Sequence, residues 1–123
     1  MPADDIDFAP SLPEAAEDLF DMANLYPLDT GLPMTVWVSP RRHARHDVRI
    51  KVCMTPGDRM DADNTAVAAV RPMPRLLHGH VAAADLARVA AWIGLNESAL
   101  VGYWDGKLSP VEFVTRAKVL PPD

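Results

Sequence analysis

The side chains with the greatest potential for chemistry lie in one short basic segment. Between positions 37 and 51 the chain places five cations, two histidines and one indole: Trp37, Arg41, Arg42, His43, Arg45, His46, Arg49 and Lys51. Clustered cations neutralise phosphates or pair with carboxylates, and an exposed indole stacks on a base. The segment predicts a binding surface for a macromolecular partner, either nucleic acid or protein, unless it is only a solvated basic loop.

The four histidines form two close pairs, His43 with His46 and His78 with His80. On a strand, His78 and His80 would share one face, which is a workable arrangement for a metal ion. Arginines surround the first pair, and their positive charge repels a cation. We therefore predict no metal site, and a histidine-based, metal-dependent hydrolase or nuclease is the weakest of three alternatives.

Motifs of the common enzyme classes are absent from the sequence. Cys53 is the single cysteine, so no intramolecular disulfide can form, and its place beside Lys51 supplies no nucleophile–base pair. The chain also lacks the glycine-rich phosphate loop, the dinucleotide fingerprint, the zinc-protease motif and the nucleophile elbow. We predict a non-enzymatic protein with no cofactor and no catalytic residues.

Two segments with alternating apolar residues must position the basic segment. Residues 34–39 and 47–54 both have the pattern of strands whose even-numbered side chains face the core, joined by a long basic loop in a hairpin. This phase places Trp37, Arg49 and Lys51 on the opposite face. A third strand is predicted at 65–71, and residues 75–81 are a candidate fourth strand at the sheet edge.

The C-terminal part of the chain predicts two helices. Residues 82–104 carry apolar side chains at three–four spacing, and Asp105-Gly106 ends that helix. Ser109, Pro110 and Glu112 form a start signal for a short helix at 110–118. Strands and helices cluster separately, so we predict an α+β fold. It is a small curved antiparallel sheet of three to four strands packed on the long C-terminal helix, with an N-terminal helix and a short final helix.

Charge divides the chain near residue 30. Residues 1–30 contain eight acidic residues and no Lys or Arg, whereas the whole chain has a net charge of −5. We predict an acidic N-terminal arm over 1–30 with one helix at about 12–24, followed by a single α+β domain over 31–123. The arm is a solubilising tail, a cover for the basic segment, or an inhibitor-like interaction module that docks through Leu12, Leu19 and Phe20.

Three stretches of the chain carry a distant resemblance to a known family: SPRRHARHDVRIKV, AVAAVRP and VAAWIGLNESALVGYWDGKLSP. They resemble a family of small uncharacterised prokaryotic proteins often found near toxin–antitoxin-type modules, whose helix has the form W-x-x-x-N-x-x-x-L-x-x-x-W. Trp92, Asn96, Leu100 and Trp104 match that form, and the similarity covers about residues 34–108. The resemblance implies an accessory or regulatory role rather than a known reaction.

The sequence also bears on where the protein works. No stretch approaches the roughly eighteen consecutive apolar residues of a membrane span, and the acidic start lacks the features of a secretory signal. We therefore expect a cytoplasmic protein with no membrane partner. A small sheet with one covered face has another face or edge to protect, which makes a homodimer plausible. The leading hypothesis is a small non-enzymatic bacterial binding protein that uses the basic hairpin.

Overall fold

The computed structural model describes residues 22–41, 44–56 and 64–122 of the chain. Five antiparallel strands form an open sheet in the order β1-β2-β3-β4-β5, so each strand pairs with its neighbour along the chain. The strands are β1 (Ala23–Leu25), β2 (Met34–Val38), β3 (Arg49–Pro56), β4 (Thr65–Ala69) and β5 (Arg75–His78), and the helices are α1 (Pro27–Thr30), α2 (Ala83–Trp104) and α3 (Pro110–Arg116).

The α+β class and the antiparallel sheet are confirmed, but the strand count is five and not three to four. The additional strand, β1, and the single turn of α1 lie within residues 23–30, which the sequence assigned to the acidic arm. Ala23 and Leu25 are buried on either side of exposed Asn24, and β1 pairs with β2. The last two positions of the predicted helix at 12–24 are therefore strand, and residues 12–21 lie outside the described part of the chain.

One face of the sheet packs on the helices, as the predicted phase requires. The even-numbered side chains of β2 and β3 belong to one buried cluster together with residues from α2 and α3. Val36 and Ile50, at the centre of this face, are fully buried. Alternation along β2 and β3 therefore positions the core correctly, because successive side chains of a strand point to opposite faces.

The buried stripe of α2 differs from the predicted one at its centre. Asn96 is buried and Glu97 is exposed, although the three–four spacing assigned position 97 to the apolar stripe. Trp92 and Tyr103 are also buried in the core. The stripe thus includes position 96 in place of 97, which places a polar amide among buried apolar side chains such as Ile93 and Leu100.

The start of α3 follows the predicted capping box. The Ser109 hydroxyl accepts a hydrogen bond from the Glu112 backbone N–H at 3.1 Å, and the Glu112 carboxylate accepts one from the Ser109 N–H at 2.9 Å. The hydrogen bonds that the Ser109 N–H and hydroxyl donate to the Glu112 carboxylate lower its pKa. The two bonds of the capping box satisfy two backbone donors that a helix otherwise leaves open at its first turn.

Residues 117–122, here named the C-terminal strap, cross α2 after α3 ends. The Lys118 carbonyl accepts hydrogen bonds from Trp92 Nε1 and Asn96 Nδ2, both at 3.1 Å. The Lys118 N–H donates to Asn96 Oδ1 at 2.6 Å, and Asn96 Nδ2 also donates to the Trp92 carbonyl. The buried amide of Asn96 is therefore fully engaged, which explains how a polar side chain is tolerated in the core stripe.

Two further contacts join the strap to the C-terminal end of α1. The Leu120 N–H donates to the Thr30 carbonyl at 2.7 Å, and Arg88 donates to the carbonyls of Gly31 and Pro121. Gly31 has a φ of 82°, and a Cβ there would collide with the Leu120 carbonyl. Glycine is required at this position because it permits both the left-handed turn and the close approach of the strap.

None of the described helices combines the length and the hydrophobicity needed to cross a lipid bilayer.

Candidate functional site: a basic loop and strand

Trp37 lies on the face of the sheet opposite the core, but it is not exposed to solvent. Its register partner across the sheet is Lys51, yet its side chain is only 6% exposed. Cys53 and Thr35, on the same face, are fully buried as well. The prediction that Trp37 is exposed is therefore wrong. The physical reason lies in the strand MTVWV, whose nearly continuous apolar run is typical of a strand covered on both faces.

The loop between β2 and β3 is anchored to the C-terminal end of α2. The Arg41 N–H donates to the Trp104 carbonyl at 3.0 Å, and the Ala44 N–H closes a turn onto the Arg41 carbonyl. The His46 ring lies against the Trp104 indole, with their centroids 5.3 Å apart. The two sides of the described loop thus contact the same tryptophan, which fixes where its charged side chains emerge.

Asp47 ends the loop and pairs with Arg71, which lies beyond β4. Three hydrogen bonds of 2.9 to 3.1 Å join the guanidinium to both carboxylate oxygens. The hydrogen bonds from Arg71 lower the pKa of Asp47 to about 2. This carboxylate is consequently hydrogen-bonded to Arg71, and the positive charge of Arg41 lowers its pKa further.

The remaining cations of the segment have no such partner. Within the described ranges, Arg41, Arg45, Arg49 and Lys51 form no ion pair and no side-chain hydrogen bond. Three of them are exposed and Arg49 is half-buried. We name these four residues, together with His46, the basic surface. Arg42 and His43, which the sequence also assigned to the site, lie outside the described residues.

The pKa of His46, which lies in the loop, depends in part on the cations of β3. Its pKa is lowered, first because packing against the protein desolvates the ring, and further because Arg49 and Lys51 repel its charged form. The ring Nδ1 lies 2.8 Å from the Asp47 carbonyl oxygen. His46 is therefore a neutral member of the basic surface at neutral pH, and it responds to the charge of the two strand cations.

A groove of about 490 Å³ opens beside Arg41. Its lining combines the loop with the turn that follows α2, and consists of Pro40, Arg41, Tyr103, Trp104, Asp105, Gly106, Leu108 and Pro110. Burial raises the pKa of Tyr103, which keeps its hydroxyl protonated. The groove is open, with proline and other apolar side chains beside the Arg41 guanidinium and the Asp105 carboxylate, and its size suits a short segment of a partner chain.

Other candidate groups do not converge. His78 and His80 are exposed at the sheet edge, and among the described residues no three His, Cys, Asp or Glu side chains could share a metal ion. Cys53 is a buried free thiol. The acidic helix with Leu12, Leu19 and Phe20 lies outside the described residues, so its proposed docking role stays a prediction.

Comparison with known proteins adds no family. No protein-family model matches the chain, and no curated protein or solved structure does either. The resemblance to the toxin–antitoxin-associated family therefore stays a prediction. Of its four helix positions, Trp92 and Asn96 bind the strap, while Leu100 and Trp104 belong to the core. The pattern is thus explained by packing in this fold.

Proposed function

We propose that this is a non-enzymatic cytoplasmic binding protein whose basic surface engages an acidic protein partner. The observation that carries the proposal is that Asp47 is paired with Arg71, while Arg41, Arg45 and Lys51 are exposed and form no ion pair among the described residues. Unpaired cations held on an anchored loop attract an acidic surface and lose little entropy on binding it.

A protein partner is favoured over nucleic acid by two features of the site. The indole of Trp37 is buried, so the surface lacks the aromatic platform on which single-stranded bases stack. The groove beside Arg41 supplies instead a concave surface for a peptide side chain, lined in part by Trp104, Leu108 and two prolines. An acidic segment that lays an apolar side chain in this groove and carboxylates along the loop would use both features.

A binding function is compatible with the accessory or regulatory role in bacteria that the toxin–antitoxin-like resemblance implies. A homodimer would present the basic surface twice and increase avidity for a partner with repeated acidic segments. Light scattering on the purified full chain measures whether such a dimer forms.

The direct test measures binding of fluorescent poly-L-glutamate and of single-stranded DNA of matched charge to the full chain. We expect poly-L-glutamate to bind, and Arg45→Glu to weaken it by about tenfold or more, the usual scale for a lost charge pair. Arg75→Glu, at an exposed position of β5 outside both grooves, changes the net charge equally and is the matched control. Equal affinity in the Arg45 variant would remove the proposal, and a marked preference for DNA would replace it with a nucleic-acid function.

The pKa of His46 provides a second test of the proposed binding. Arg49 and Lys51 help to lower its pKa, so an anionic partner that neutralises them must raise it. By linkage, binding then tightens as the pH falls through the pKa of His46 in the complex, because the ring gains a proton more readily there than in the free protein. An NMR titration of the His46 ring with and without poly-L-glutamate measures the shift. An unchanged pKa would place the ligand elsewhere on the molecule.

A further inference from the structure

A second groove, of about 540 Å³, lies between the outer side of α2 and the chain that runs from Lys107 to the strap. Small and apolar side chains line its floor, namely Leu95, Ser98, Ala99, Val101, Gly102 and Leu108. Gly102 allows the close approach of Leu108, because a Cβ there would lie only 3.2 Å from its side chain. A volume of this size accommodates a small organic molecule.

Three cations line the same groove from three different parts of the chain. Lys107 follows α2, Arg116 ends α3 and Lys118 belongs to the strap. All three are exposed, and within the described part of the chain none forms an ion pair. Asp105 is the one carboxylate in the lining. Glu112 influences Arg116 electrostatically, but its carboxylate is already bonded to the Ser109 N–H.

Hydrogen bonds within the fold hold the backbone that carries two of these cations. Lys118 is held through its own carbonyl and N–H by Trp92 and Asn96, so its side chain takes no part in attaching the strap. The Lys107 N–H donates to the Gly102 carbonyl at 2.8 Å. Two of the three cations therefore extend from anchored backbone, which lowers the entropy lost on binding.

We infer that this groove binds a small organic anion, in which one carboxylate or phosphate group is joined to an apolar body. The anionic group pairs with Lys107, Arg116 and Lys118, and the apolar body covers the small residues of α2. This site is separate from the basic surface, since it lies on α2, α3 and the strap rather than on the loop and β3. It would give a binding protein a small-molecule ligand of its own.

The test titrates the isotope-labelled full chain with sodium octanoate and follows the backbone amides by NMR. We expect saturable shifts at Ser98, Gly102 and Lys118. Octanol, which has the same apolar body without the charge, should bind about tenfold more weakly, as expected for lost charge-assisted contacts. Inorganic phosphate tests the charge without the apolar body and should also be weaker, while octyl phosphate distinguishes a phosphate head group from a carboxylate.

The double variant Arg116→Gln and Lys118→Gln should weaken octanoate about tenfold and keep the strap attached, because Lys118 contributes to the attachment through its backbone and not its side chain. Arg45→Gln is the matched control and should leave octanoate affinity unchanged, even though it weakens poly-L-glutamate. Equal binding of octanoate and octanol, unchanged affinity in the double variant, or shifts distributed evenly over the sheet would each overturn the inference.

Discussion

The C-terminal strap and the basic surface use polar side chains in opposite ways. At the strap, Asn96 and Trp92 are buried and each donates to the Lys118 carbonyl. On the basic surface, Arg45 and Lys51 are exposed and form no ion pair with the described chain. The first arrangement satisfies polar groups within the fold, while the second leaves them for another molecule.

This difference predicts which substitutions affect folding and which affect binding. Removing one member of a buried hydrogen-bonded set leaves its partner unsatisfied and lowers the free energy of unfolding. Removing an exposed, unpaired cation changes that free energy very little. Four substitutions test the distinction, and they are considered from the largest expected change in stability to the smallest.

Asn96→Ala should have the largest effect, with a loss of about 2–3 kcal/mol in the free energy of unfolding, because the partly buried backbone of Lys118 then loses its hydrogen bonds to the buried amide. Urea unfolding followed by tryptophan fluorescence measures the loss. Asn24→Ala, at an exposed position of β1, is the control and should change little. If the two variants were equally stable, the strap would not be held as described.

Arg88→Met should cost about 1 kcal/mol, because it keeps the apolar stem but removes the hydrogen bonds to the Gly31 and Pro121 carbonyls. Hydrogen exchange should show faster exchange of the Leu120 N–H, which bonds to Thr30 beside these contacts. Arg75→Met removes an exposed cation from β5 and serves as the control. Unchanged protection at Leu120 would contradict a role for Arg88 in holding the strap.

Asp47→Asn should have a smaller, pH-dependent effect. The folded-state pKa of Asp47 is lowered to about 2 by Arg71, so the pair stabilises the fold above the unfolded pKa of about 4. This contribution is lost as the pH falls through about 2. The difference in Tm between wild type and variant should therefore be greatest above pH 4 and disappear near pH 2. A difference that is constant with pH would show that the ion pair contributes nothing.

Arg45→Glu should have the smallest effect on folding, within about 0.5 kcal/mol, because Arg45 is exposed and unpaired. Its effect on poly-L-glutamate binding is expected to be large at the same time. Urea unfolding of the same Arg45→Glu variant measures its free energy of unfolding. A clear loss of stability would mean that the basic loop has a structural role, and would remove the contrast with the strap.

Features that depend on local chemistry could be predicted from the sequence. The capping box of Ser109 and Glu112 forms as its motif indicates, since both hydrogen bonds lie within one turn. The alternation of apolar side chains in β2 and β3 identified the face of the sheet that packs on the core, because this pattern also depends only on residues close together in the sequence. Of the predicted site, the structure describes the cations Arg41, Arg45, Arg49 and Lys51, and it places three of them at the surface.

Features that depend on distant chain segments could not be predicted in this way. Strand β1 has only three residues, too few to show a period, and it is defined by pairing with β2. The strap is held through backbone atoms of Lys118, which leave no trace in the identity of that residue. Asn96 did carry a signal, because a polar residue one position from the predicted stripe indicates a buried hydrogen-bond partner. Trp37 also carried one, since its strand is apolar on both faces.

The attachment of the strap through Lys118 also determines how freely that position can vary. Its carbonyl and N–H provide the hydrogen bonds to Trp92 and Asn96, so nearly any side chain preserves them. Proline is the exception, because it has no N–H to donate to Asn96. Position 118 can therefore be diversified in a library to alter ligand preference in the adjacent groove, while the scaffold beneath it stays constant.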